Sequence, residues 1–263
     1  MFKKVAILSL VGVALFSASS AYAYIKNYSS YISLDNHTST KYSVPFKATT
    51  TASKTSYLVN VSSNVYFNSA YKTSDDASGS LTAKVNTSTT GKSGTNGEWE
   101  IESFHYQWLS EDDLEDAQNS TDSVYYDKTD WALLKSSSDK EAKAFTQKVD
   151  NAINEFKAQT VKSITNDLNL DLTDYKIITV RDAIELDKTF TLLNEVKKVL
   201  DNQEEGDIKP TIYLHESKEK GYILQKKANG ISNAFELVNE NGKWYTTDEK
   251  SKKGKKLLLP EID

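Results

Sequence analysis

The chain has 263 residues, 38% of them hydrophobic and 11% aromatic, and its 37 acidic against 32 basic side chains leave a formal net charge of −5. It contains no Cys, which excludes a disulfide framework, a thiolate metal site, a cysteine nucleophile and a thiol-linked lipid anchor. A single Arg, Arg181, stands beside 31 Lys; bidentate recognition of phosphate recruits Arg, so this usage and the negative charge argue against a nucleic-acid partner.

At the N-terminus Lys3 and Lys4 precede an apolar run from residue 5 to residue 16, followed by small residues and Ala21-Tyr22-Ala23. This is the layout of a secretory signal, and cleavage is expected after Ala23. An apolar run of about 12 residues is too short for a span, which needs roughly 20. No later stretch approaches that length, so the mature chain is expected to be secreted, with no transmembrane segment. The abundance of Lys, Asn, Ile, Tyr, Ser and Thr points to a genome poor in G and C, as in Gram-positive bacteria. Charge is uneven: residues 24–97 hold seven Lys against three Asp, and residues 98–263 hold 23 basic against 34 acidic side chains. A hydroxyl-rich surface in one part and charged helices in the other account for the difference.

Residues 24–43 read as a polar arm with scattered tyrosines or as short edge strands. Residues 41–50 look extended, with Pro45 confining them to a sheet edge. Residues 57–67 alternate as strand in two pieces around Ser62 and Ser63, residues 73–79 form a turn cluster, and residues 80–87 place Leu81, Ala83 and Val85 inward. The loop 90–97 is expected to join that strand to the next as a long hairpin. The segment 99–108, WEIESFHYQW, is the most aromatic of the chain. Alternation puts Trp99 and Ile101 on one face and Phe104, Tyr106 and Trp108 on the other, with Ser103 at the crossover. Such a strand has both faces covered, or a bulge near Ser103 moves its apolar side.

Residues 111–122 are acidic and turn-like, and residues 124–134 bring a second aromatic cluster with Tyr126 and Trp131. Ser138 and Glu141 have capping-box spacing. The stripe Phe145, Val149, Ala152, Ile153, Phe156, Val161, Ile164 and Leu168 predicts a helix of about 30 residues, roughly 45 Å long. A buried strand at 175–180, a helix over 188–202 ended by Gly206, and strands at 211–215, 222–226 and 235–238 follow. Asn241-Gly242 predicts a hairpin into residues 243–247. The fold class expected is α+β: an antiparallel, curved sheet with one long and one shorter helix packed on one face. The expected organisation is a signal peptide at 1–23, a main α+β domain at 24–206 with its polar arm, a β-hairpin region at 207–249 within that domain or as a small subdomain, and a Lys-rich tail at 250–263.

Chemistry-bearing motifs are sparse. His37, His105 and His215 lie far apart without metal-ligand spacing, and His105 reads as a packed strand residue rather than a general base. Asp167, Asn169 and Asp171 alternate as in a calcium loop, but Leu172 and Ile178 stand where that loop needs Gly and Glu. The acidic group Glu111, Asp112, Asp113, Glu115 and Asp116 reads as solvated loop charge. Asn27, Asn36, Asn60, Asn86 and Asn119 begin Asn-X-Ser/Thr triplets, as expected where those residues abound. No phosphate-binding loop, nucleophile elbow or zinc helix occurs, and no cofactor or metal is implied.

Export, 15 tyrosines, many hydroxyl side chains and the lack of a catalytic signature together suggest a non-catalytic binding or interaction protein. Its ligand would belong to the extracellular space or the cell envelope. The candidate ligand contacts are Trp99, Phe104, Tyr106, Trp108, Tyr126 and Trp131. Lys250, Lys252, Lys253, Lys255 and Lys256 are candidate contacts to an anionic surface such as lipid or wall polymer. Two alternatives stay open. One is a carrier of a lipid-like apolar ligand, if the aromatic residues share a pocket. The other is a secreted hydrolase with a carboxylate pair assembled in space, one member of raised pKa.

Overall fold

The computed structural model describes residues 24–111, 113–129 and 140–262. The expected signal segment, Asp112, Trp131 and the Ser138 half of the capping box lie outside them. The architecture is a mixed α+β fold rich in strand, with three antiparallel sheets and three helices among the described residues.

Two of the sheets form a sandwich. The first has the order β1 (Ile25–Ile32), β2 (Lys41–Ala52), β5 (Thr82–Lys92), and the second has β4 (Ala70–Gly79), β3 (Leu58–Phe67), β6 (Gly97–Ser110), β7 (Asp113–Tyr126). Period-two alternation in β2 buries Tyr42, Val44, Phe46, Ala48, Thr50 and Ala52 against the other sheet. Val59, Val61, Val65 and Phe67 of β3 and Trp99 and Ile101 of β6 meet them in one apolar core. The Trp99 indole N–H donates to the Tyr42 hydroxyl at 2.9 Å, and the Tyr42 ring stacks on Tyr126 with centroids 4.1 Å apart.

The other face of β6 carries Glu100, Glu102, Phe104, Tyr106 and Trp108, so this strand is covered on both sides. Phe104 and Tyr106 pack under α2 (Val180–Leu186) and α3 (Thr191–Asp201). Beyond these helices lies the third sheet, of order β12 (Lys243–Lys253), β11 (Ile231–Glu240), β10 (Lys220–Lys226), β9 (Thr211–His215), β8 (Tyr175–Ile178). Its inner strands β9, β10 and β11 are apolar on both faces. Ile212, Leu214, Ile223 and Leu237 join the α3 cluster, while Tyr213, Leu224 and Ala234 meet Ile164 of α1 (Lys140–Leu168). The rest of the α1 stripe is covered from afar: Phe156 by Ala70 and Ile208, and Val149 and Ile153 by Ile262.

Residues 206–209 tie the two parts together. Gly206 N–H donates to Tyr71 O at 2.9 Å, Tyr71 N–H to Asp207 O at 2.7 Å and Lys209 N–H to Ser69 O at 2.8 Å, while Ile208 N–H reaches Lys226 O of β10 at 2.8 Å.

Several local expectations are corrected. The helices do not share one face of a single sheet; α1 and α3 lie on opposite faces of the third sheet, because its inner strands present apolar side chains both ways. The acidic stretch 111–122 is largely strand β7, since Asp116 and Asp122 have a use there: they accept the edge N–H groups of Ile25 and Ile32 at 2.8 and 3.0 Å. Residues 73–79 belong to edge strand β4, and the turn before it is made by Asn68 and Ser69, with φ of 49° and 67°. The loop 90–97 crosses between sheets, because β5 pairs with β2 and β6 with β3. Pro45 sits in the central strand of its sheet, near the end of the β1 ladder, where its carbonyl accepts from Ser33 and the missing N–H costs one terminal bond. The helix expected over 188–202 is α3, entered through Phe190 at φ 58°; the strand expected to run to residue 180 stops at Ile178, and a further short helix, α2, opens there with a capping box between Thr179 and Asp182. Leu81 is exposed, whereas Ala83 and Val85 are buried as expected. The Asn241-Gly242 turn joins β11 to β12 with both φ values positive, as its hairpin type requires.

Gly91 stands opposite Tyr42, and a Cβ there would lie 2.2 Å from the Tyr42 ring. Gly91→Ala is therefore expected to displace the Tyr42 ring from its stack and cost about 1–3 kcal/mol. Urea denaturation of the variant measures the loss, and an unchanged midpoint would show that the ring has room to move.

Candidate functional site

Helix α3 lies across the outer face of the β4-β3-β6-β7 sheet and divides the uncovered surface in two. On the β7 side, Val196 and Leu200 of α3 border a cleft of about 560 Å³ that also runs along the β1–β7 seam. Its walls carry Tyr28, Asn119, Thr121, Thr179 and Thr211, with Lys157 and Arg181 toward solvent.

The charged group in this cleft is Glu100, Glu102 and Lys209. Strand alternation sets both carboxylates on the outer face of β6, and the pairing of residues 206–209 with β4 carries Lys209 to them. The Lys209 ammonium donates to Glu100 Oε1 at 2.8 Å and lies 3.1 Å from Glu102 Oε2. The latter contact lacks hydrogen-bond geometry and is held by charge alone. Lys209 has 19% of its side chain exposed and Glu102 only 6%. Burial opposes the charge on Lys209, but the two carboxylates win and raise its pKa. At Glu100 the penalty of burial is likewise overcome by the ammonium, which holds the carboxyl below its ordinary range. The Lys209 charge also sits 5.2 Å from the centroid of the Tyr66 ring, whose hydroxyl donates to Gln203 Oε1 at 3.0 Å. Lys209 and Glu100 are therefore fixed charges that stay ionised, suited to holding a partner and unsuited to proton transfer. The cleft lining does include a carboxyl raised by burial, Asp122. It registers with Ile101 on the opposite sheet face from Glu100, so the two do not form a converging acid–base pair.

His105 heads a hydroxyl relay through the sandwich. Thr50 donates its hydroxyl proton to Asn60 O at 3.2 Å, so His105 Nδ1–H donates to Thr50 Oγ1 at 2.7 Å. The Nε2 atom then accepts from Ser120 at 2.7 Å, and Ser120 is in turn bonded to Ser30 at the seam. Burial alone lowers the His105 pKa to about 3, so the ring is neutral and weakly basic. The order Ser, His, Thr resembles a nucleophile relay in outline, but no carboxylate orients the ring. Its role is to satisfy polar groups inside the sandwich.

The structure does not bring the candidate aromatic contacts into one pocket. Trp99 and Tyr126 lie in the sandwich core, Phe104 in the packing under α3, and Tyr106 and Trp108 border a second recess on the far side of that helix; Trp131 falls outside the described residues. The lysines separate as well. Lys250 and Lys252 register with Ala234 and Ser232 on the α1 side of the third sheet, Lys253 alternates to the other side, and Lys255 and Lys256 follow in coil. Sequence reasoning missed Glu100, Glu102, Lys157 and Lys209. The available signal was two carboxylates within the most aromatic strand, since buried charge demands a counter-ion. Nothing local marks Lys209 as that counter-ion.

Lys209→Met, which strands both carboxylates, is expected to destabilise the fold by about 3–5 kcal/mol, and the triple change with Glu100→Gln and Glu102→Gln to recover most of that loss in urea denaturation. His105 gives a pH test. A histidine depressed on folding contributes stability that is fully present above its unfolded pKa of about 6.5 and is lost as pH falls toward 3. Between pH 7 and 5 the loss amounts to about 2 kcal/mol, and His105→Gln should lack that component.

No family model matches the chain, and no curated protein matches it. Solved structures similar to part of it are a selenomethionine-labelled β-glucosidase from Kluyveromyces marxianus, at 18% identity and a TM-score of 0.20, and the same enzyme in complex with glucose, at 16% and 0.21. Each match covers 38% of this chain and 14% of that one, so the likeness spans about one seventh of the enzyme's length.

Proposed function

We propose that this chain is an exported, non-catalytic binding protein of the extracellular space or cell envelope, and that a polar ligand seats in the cleft between the sandwich and the third sheet. The observation that supports this most strongly is the Glu100–Lys209–Glu102 group within an open cleft of about 560 Å³. Burying three charges is costly, and apolar side chains of similar volume would generally give a more stable fold. The group therefore makes better sense as a preorganised set of donor and acceptors than as packing. Lys157 and Arg181 add positive charge toward solvent, and Asn119, Thr121, Thr179 and Thr211 add hydrogen-bonding capacity. A polar ligand bearing an anionic group fits that lining.

The same lining favours binding over hydrolysis, because Glu100 keeps no proton to donate and Asp122 faces away from it. The apolar-carrier reading needs Trp99, Tyr126 and Phe104 around one ligand, and they sit on opposite faces of a sheet. Export rests on the charge, apolar run and small-residue pattern of residues 1–23. No helix among the described residues is long and apolar enough to cross a membrane.

Native mass spectrometry of the protein recovered from its own host's medium or envelope tests the reading. The expected species begins at Tyr24 and carries a small polar adduct, which the double variant Lys157→Ala, Arg181→Ala loses without a change in denaturation midpoint. A lipid-sized mass kept by both proteins would restore the carrier reading. A bare chain that retains residues 1–23 would overturn the proposal.

A further inference from the structure

The second recess, on the β3–β4 side of α3, has a volume of about 520 Å³ and a different chemistry. Its floor is the outer face of the sandwich, where Asn60 registers with Tyr106, Leu58 with Trp108 and Ser62 with Asp76. Its far wall is α3, through Asn194, Lys197 and Asp201.

Three observations define what it would accept. Tyr106, only 2% exposed, borders the recess, and its hydroxyl has no hydrogen-bond partner among the described residues. A buried phenol left so is a standing donor that lacks its acceptor. Charge is the second observation: among the described residues Asp76, Glu111 and Asp201 line the recess against one ammonium, that of Lys197, which is bound to Asp201 at 2.7 Å. Lastly, β3 and β6 are paired on both sides, so the centre of the floor presents side chains rather than free backbone groups. Recognition has to run through side chains: an aromatic face at Trp108, the amides of Asn60 and Asn194, and carboxylates.

We propose that this recess binds a small polyhydroxylated amine, such as an amino sugar or its short oligomer. The ammonium lies against Asp76, which is on the recess face of β4 opposite Ser62, the ring face packs on Trp108, and a ring or hydroxyl oxygen accepts from Tyr106. Cation, hydroxyl and apolar ring face are then each met by a group already in place. The recess is separate from the cleft with Lys209, and the proposal stands or falls independently of it.

Isothermal titration of the full chain with three probes tests this: a fully deacetylated glucosamine trisaccharide, its N-acetylated counterpart and a glucose trisaccharide. Saturable one-site binding is expected for the deacetylated probe, with the other two at least about tenfold weaker because they lack the charge. Tyr106→Phe keeps the ring and removes the donor, and should weaken binding about fivefold. Asp76→Asn, at an exposed position, should act similarly and remove part of the salt dependence. Lys157→Ala should leave binding unchanged. Three results would overturn the proposal: no heat with the deacetylated probe, equal binding of the N-acetylated one, or full affinity in the Tyr106→Phe, Asp76→Asn double variant.

Discussion

The structure turns on the need to compensate two carboxylates. Glu100 and Glu102 sit in the strand with the largest aromatic content, on the face that the later part of the chain must cover. Neither can be shut away from water without a cation. Lys209 supplies it, and arrives there because residues 206–209 run beside the start of β4 and hand one further bond to β10. One short segment therefore joins sandwich to third sheet and neutralises the charge between them. The cleft is the space left where this junction meets α2, α3 and the β1–β7 seam.

That seam follows a similar rule. β1 and β7 are neighbouring edges that do not pair through their backbones. Side chains replace the ladder: Asp116 and Asp122 take the N–H groups of Ile25 and Ile32, and Ser120 bonds Ser30. Burial raises the pKa of both aspartates, while their hydrogen bonds to backbone pull the other way. An edge sealed in this way cannot be extended by another strand, yet it keeps hydroxyls and amides beside the cleft.

Much of this was legible where periodicity is strong. The two-faced character of residues 99–108, the long helix with its apolar stripe, the final hairpin and the mixed α+β class all follow from local spacing. The sequence misled where polar residues have structural uses that spacing does not reveal. Asp116 and Asp122 look like loop charge until an edge strand needs their oxygens, and the polar run of β4 looks like a turn because most of its side chains face water or the second recess. The aromatic residues were legible as core but not as a site, because alternation alone sends Trp99 and Phe104 to opposite faces. The Glu100–Lys209 pair is formed across the chain, and no one-dimensional pattern announces such a contact.

The covering of α1 has a consequence for the order of events in folding. Val149 and Ile153 are closed by Ile262, Phe156 by Ile208 with Leu257 and Leu259 alongside, and Ile164 by strands of the third sheet. Every apolar partner of the helix's first half that comes later in the chain comes very late, so during synthesis the stripe emerges long before its cover does. Contacts of such sequence separation delay closure and leave the nascent polypeptide loose and open to chaperones. The same topology that makes the finished protein a single interlocked body keeps the unfinished one pliable.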